Sequence, residues 1–180
     1  TVVGEAFAAD LLALAGRTTV PVDMSGVTTI TGTRADIASV YTGSFLGRGD
    51  EALSVTYTIT AAQATTLLGY TTGVVTATVE ADTASALNAN ITGASGTDAL
   101  TLVLRAEAAS APTLASDLIA LVGKTSAAVD AWDVASVVGT AAELRTLYTL
   151  DAATITWLGD EALEITGTPS AAEANAVALL

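Results

Sequence analysis

The chain of 180 residues has no cysteine and no histidine. The first absence excludes disulfides, thiolate catalysis and zinc-thiolate sites. The second removes the commonest general base near neutral pH and the commonest transition-metal ligand, so most hydrolase and metalloenzyme mechanisms lose their central group. Basic residues are scarce: six Lys and Arg stand against 19 Asp and Glu, for a net charge of −13. Phosphate binding needs clustered cations, so nucleic acid is excluded as a partner and an anionic membrane surface is disfavoured. The acidity favours solubility and self-repulsion, with divalent cations or high salt as fitting companions.

Long apolar runs are missing too. Thr, Gly, Asp or Glu interrupts each one well before the roughly 20 residues that a membrane span requires, so no transmembrane helix is expected. Aromatics make up only 4% of the chain although 51% of it is hydrophobic. That hydrophobic content is mainly Ala, Val and Leu, and small side chains suit thin, repeated layers. The first residues, Thr1-Val2-Val3-Gly4-Glu5, have no basic region and no initiating Met, which predicts a chain processed or excised from something longer.

What is present is a duplication. Ala9-Asp10-Leu11-Leu12-Ala13-Leu14-Ala15-Gly16-Arg17-Thr18 returns as Ser116-Asp117-Leu118-Ile119-Ala120-Leu121-Val122-Gly123-Lys124-Thr125. The same offset carries Asp23 to Asp130, Gly32 to Gly139, Asp36 to Glu143 and Tyr41 to Tyr148. After a short insertion, Gly49-Asp50-Glu51-Ala52-Leu53 returns as Gly159-Asp160-Glu161-Ala162-Leu163, and Thr60-Ala61-Ala62-Gln63 as Ser170-Ala171-Ala172-Glu173. The chain divides into a first block, 1–106, and a second, incomplete block, 107–180, read as one continuous stacked unit.

Within each block strands and helices alternate. Leu53, Val55, Tyr57 and Ile59, then Val75, Ala77 and Val79, then Leu100, Leu102 and Leu104, then Leu163 and Ile165 have the period of half-buried strands. Thr33, Thr60, Thr140 and Ser170 each stand three residues before Asp, Gln or Glu, the pattern of a capping box at a helix start. The helices are predicted to run two to three turns and to end near Gly or Thr-Gly, as at Thr71-Thr72-Gly73. Isolated helices of that length are marginal in water, so stacking must hold them. A strand and a short helix every few tens of residues predict an α/β architecture: a right-handed solenoid of short parallel strands and short helices, with a compact α/β layer domain as the alternative.

Segments such as Val27-Thr28-Thr29-Ile30-Thr31-Gly32-Thr33-Arg34-Ala35-Asp36-Ile37 and Gly49-Asp50-Glu51-Ala52-Leu53 resemble Ala/Thr/Gly-rich repeat regions of very large secreted bacterial proteins, cyanobacterial ones among them. Those proteins often carry calcium-binding nonapeptide arrays; the nonapeptide itself is absent here. The resemblance implies a secreted, cell-surface location and a role in a surface layer, adhesin or filament. It supplies no functional residue.

Several residues are candidates for chemistry. Asp50, Glu51, Asp98, Asp160 and Glu161 fall in equivalent turns, and stacked turns could offer calcium its oxygen ligands, although Asp and Gly favour turns without metal. Arg48-Gly49-Asp50 spells an integrin-binding tripeptide, but the second copy reads Leu158-Gly159-Asp160, so a plain turn is expected. Ser54, Thr56, Thr58, Thr76, Thr78, Thr101 and Thr166 could form a hydroxyl ladder for ice or glycan, or simply reflect the strand propensity of Thr. Glu164 and Val103 interrupt that ladder.

Asn90-Ile91-Thr92 matches the N-glycosylation pattern, with Asn88 and Asn90 in an expected loop. Trp132 and Trp157 are expected in the core or in a contact between coils rather than against a sugar. Lys124, in Gly-Lys-Thr, lacks the upstream glycine of a phosphate loop. No pair of carboxylates is singled out for glycoside chemistry. The expectation is a non-enzymatic structural protein whose partner is itself, in a head-to-tail polymer or longer array, with a surface glycan as the other candidate. No cofactor is expected beyond calcium.

Overall fold

The computed structural model describes residues 1–107, 111–150 and 152–180. These residues form an α/β fold with parallel strands and seven helices. Strands β1 (Val3–Phe7), β3 (Gly26–Gly32), β5 (Ala52–Val55), β6 (Val75–Thr78) and β7 (Ala99–Thr101) make one sheet in that order. Strands β8 (Thr113–Leu114), β10 (Ser136–Gly139) and β12 (Ala162–Ile165) make a second. Two-stranded pairs join β2 (Val22–Asp23) to β4 (Phe45–Leu46) and β9 (Val129–Asp130) to β11 (Ile155–Thr156). Every pairing is parallel, and none of these sheets closes.

The helices are α1 (Ala8–Ala15), α2 (Arg34–Thr42), α3 (Ala61–Leu68), α4 (Ala84–Asn90), α5 (Ala115–Val122), α6 (Ala141–Leu147) and α7 (Ala171–Val177). Each packs against the next along the chain. One hydrophobic cluster runs through both blocks, from Ala8 and Leu11 to Ile155 and Val177. Between the blocks, a parallel bridge ties Val103 to Asp130. Among the described residues no helix is long and apolar enough to cross a membrane.

The four expected helix starts are N-caps, because each hydroxyl accepts from the N3 amide. Thr60 with Gln63, Thr140 with Glu143 and Ser170 with Glu173 complete the box by returning the N3 side chain to the cap amide. The Asp36 side chain is one methylene shorter, and it takes the Thr33 hydroxyl instead, at 2.8 Å. Helices α1 and α5 start without any side-chain cap, running straight out of β1 and β8.

Close packing beneath these starts requires glycine. A Cβ on Gly32 would lie 2.9 Å from the Ala8 Cβ, and one on Gly139 would lie 2.8 Å from the Ala115 Cβ. Strand and helix touch backbone to methyl there, twice, at equivalent positions.

Three expectations differ from the structure. The strand alternation breaks after Val55: the chain bends, Tyr57 faces solvent, and only Ile59 returns inside to bridge Val79. Helix α3 stops at Leu68 with Gly69 as its C-cap, earlier than Thr71-Thr72-Gly73, because Thr71 is needed to tie one coil to the next. Asn88 and Asn90 lie in α4 rather than in a loop: Thr83 caps a helix that the missing N3 acid or amide had hidden.

Candidate functional site

The Gly-Asp-Glu turns are built around their glutamates. Glu51 is 2% exposed. Its carboxylate accepts the Tyr41 hydroxyl at 2.6 Å and the amides of Gly49 and Asp50 at 2.6 and 2.9 Å. Burying a carboxylate is costly unless its lone pairs are filled, and three donors fill them here. The Tyr41 ring stacks on Tyr70, with centroids 4.8 Å apart and planes 6° from parallel. Burial first, then the bond to Glu51, hold the Tyr41 phenol far above its usual pKa, so it stays a donor.

The following coil closes this site. Thr71 donates its hydroxyl to the Glu51 carbonyl at 2.6 Å, the Thr72 amide bonds the Gly49 carbonyl at 2.8 Å, and β6 sets Val75 beside Leu53. Asp98 is likewise buried, accepting the Val75 amide and the Ser95 amide, both at 2.9 Å. Thr125 repeats the part of Thr71 one coil further on, donating to the Leu100 carbonyl at 2.8 Å.

The second copy makes the same turn without the same cover. Glu161 accepts the Tyr148 hydroxyl and the amides of Gly159 and Asp160, the latter two at 2.8 and 3.0 Å. Glu161, Leu163 and Ile165 are nevertheless only half-buried. They line an open groove of ≈ 340 Å³ with Tyr148, Gly159, Ala174, Val177, Ala178 and Leu180. Each of these residues answers to one in the first copy, from Tyr41 for Tyr148 to Tyr70 for Leu180. There, β6 and the turn at Thr71 and Thr72 cover the equivalent surface. Positions equivalent to Thr71–Thr78 would fall beyond residue 180.

The opposite end is bare in the matching way. Leu14 on α1 is 43% exposed, whereas its counterpart Leu121 on α5 is 0% exposed with α4 packed beside it. Thr18 is exposed and Thr125 buried. The same sequence element is covered only where a preceding coil exists.

Of the calcium candidates, Glu51, Glu161 and Asp98 turn their carboxylates to backbone amides, while Asp50 and Asp160 are exposed. Among the described residues no three metal-ligating side chains gather. Arg48 is tied to the carbonyls of Gly43 and Phe45, each at 2.9 Å, closing the end of α2. Lys124 bonds the carbonyls of Asn88 and Ile91 at 2.6 and 2.7 Å, so it staples α5 to α4, and burial lowers its pKa.

The hydroxyl ladder is short. Thr31, Ser54 and Thr76 are in register across three strands between Phe7 and Ala99, and Thr78 pairs Thr101. Thr56 and Thr58 lie past the end of β5, and Thr166 lies past β12. In the second sheet the matching row reads Leu114, Val138, Glu164.

Trp132 and Trp157 leave the core altogether. They are 68% and 61% exposed and meet edge to face, with centroids 5.0 Å apart and planes at 88°. They do bridge coils, since they follow the paired strands β9 and β11. Sequence periodicity missed the Tyr41–Tyr70 stack, because nothing in a strand or helix period links residues across a coil boundary.

No family model, no curated protein and no solved structure matches the chain.

Proposed function

We propose that this chain is a non-enzymatic structural segment of a secreted, cell-surface bacterial protein: a solenoid that lengthens by adding coils and assembles head to tail. The observation that carries this reading is the groove beside β12, where Glu161, Leu163 and Tyr148 are half-buried while their first-copy counterparts Glu51, Leu53 and Tyr41 are buried beside β6 and its turn. The internal repeat thus names the occupant, a further coil of the same design. For this chain on its own, that coil is the α1 end of a second copy, where Leu14 lacks the cover that Leu121 has.

Two different end surfaces give a heterologous contact, and a heterologous contact that does not close makes a filament. Parallel pairing in chain order favours such growth, because an added strand at β12 repeats the geometry already used from β1 to β7. The lack of His and Cys argues against catalysis for the reasons of chemistry given above. A net charge of −13 opposes association, so screening by salt strengthens it.

Sedimentation velocity over a wide protein concentration range, at low and high salt, tests this. Association that grows with concentration and salt, seen as filaments by electron microscopy, is expected, and Leu163→Lys, with helical circular dichroism retained, should shorten them. A monomer at every concentration would overturn the assembly reading.

A further inference from the structure

We propose that Trp132 and Trp157 form a stacking site for a neutral polysaccharide. The two residues are the only tryptophans in the chain, and comparison with the first copy isolates what they add. There the same positions hold Ser25 and Gly47. Two features recur: Asp23 accepts the Ser25 amide at 3.0 Å, as Asp130 accepts the Trp132 amide at 3.0 Å. Gly47 has φ of 67°, and Trp157 keeps φ of 64°.

The geometry of the turn does not account for the exchange. A bulky residue in the left-handed region costs about 1–2 kcal/mol. The edge-to-face contact between the rings returns about 0.5–1.5 kcal/mol beyond the burial of the part of each ring that is covered. Most of each ring still faces water. The first copy makes the same turn with Ser and Gly, so the turn itself does not require the indoles.

The surroundings select the ligand. After Lys124, the only basic residue in the chain is Arg145, whereas Asp130 stands two residues before Trp132 and Asp133 follows it directly. Carboxylates beside the rings repel phosphate and sulfate, which removes nucleic acid despite its affinity for aromatic faces. The rings touch each other, leaving no gap in which a cation could lie between two faces. What remains is the exposed surface of two perpendicular indoles beside acidic residues of the same turn. A pyranose ring is the complement, with C–H groups on its face and hydroxyls at its rim.

Fluorescence excited at the red edge, where tyrosine does not absorb, reports this site alone, since the chain has no other tryptophan. Titration with cello-, chito-, xylo-, manno- and laminarihexaose is expected to give a saturable emission change with at least one of them, matched by retention on the insoluble polymer. Trp157→Gly and Trp132→Ser, which restore the first copy's residues, should each weaken binding by roughly tenfold or more, as loss of a tryptophan anchor does. The urea midpoint of Trp157→Gly should not fall, because glycine takes this φ freely.

The proposal fails if no hexaose changes the emission, if choline alone does, or if the double variant binds as well as the parent. An emission change on concentrating the protein without sugar also overturns it, by making a second copy the occupant. Binding by Leu163→Lys at parental strength keeps the site separate from head-to-tail assembly.

Discussion

Tyr41 and Tyr148 hold equivalent places and bond equivalent glutamates, yet one pair is sealed under a stacked tyrosine and the other opens into a groove. The local sequence is nearly the same in both. What differs is the cover: β6 and the turn at Thr71 and Thr72 lie against the first turn, and no described element does the same for the second. The repeat is therefore a natural experiment on neighbours, in which one turn has two degrees of burial.

Removing the two glutamates should separate the cases most widely. Glu51→Ala strands a buried phenol and two amides, at about 3 kcal/mol. Glu161→Ala exposes the same donors to water in the groove and should cost about 1 kcal/mol. Urea unfolding of both variants measures the gap, and equal losses would mean that the covering coil contributes nothing at this turn.

Leucine truncation repeats the comparison at the opposite end with an apolar group. Leu121→Ala leaves a cavity between α4 and α5 and should lose about 3 kcal/mol. Leu14→Ala removes a side chain already half in water and should lose about 1 kcal/mol or less. If Leu14→Ala were the costlier, α1 would have to be covered by something other than a preceding coil.

How much of this could be read beforehand depended on the range of the interaction. Helix starts were legible from Thr60, Thr140 and Ser170, since a capping box is complete within four residues. The strand at Leu53 was legible, but its end was not, because alternation continued through Tyr57 while the chain itself bent away. The glutamates stood out as turn acids, and their role did not: Glu51 is defined by Tyr41 ten residues earlier and by Thr71 twenty residues later. The contact between the tryptophans was among the expectations, but their exposure was not legible. Hydrophobicity predicts burial, and only the alignment of Trp157 with a left-handed glycine reveals a ring held outside.

The smallest expected effect lies in the helix caps, where an amide closes one box and a carboxylate closes two others. The first copy closes its α3 cap with Gln63, accepting the Thr60 amide at 3.1 Å, and the second closes α6 and α7 with Glu143 and Glu173, each accepting at 2.8 Å. The shorter bonds fit a charged acceptor. Backbone N–H donation from Thr140 and Ser170, then their hydroxyls, hold both carboxyls below their ordinary 4.5. A carboxyl depressed on folding stabilises the native state above its unfolded pKa, and that contribution is lost as pH falls through the folded value. Gln63 has no such limb. Amide hydrogen exchange, corrected for intrinsic rates, should therefore show protection at Thr140 and Ser170 declining between pH 6 and 3, as protons fill the acceptors, while Thr60 keeps its own. Asp23, held down to about 2 by the Ser25 amide and the Thr1 hydroxyl, loses its own contribution between about pH 5 and 1, an overlap that the comparison among the three caps removes. Parallel decline at all three caps would assign the acid limb to general charge effects on a chain of net charge −13 rather than to the boxes.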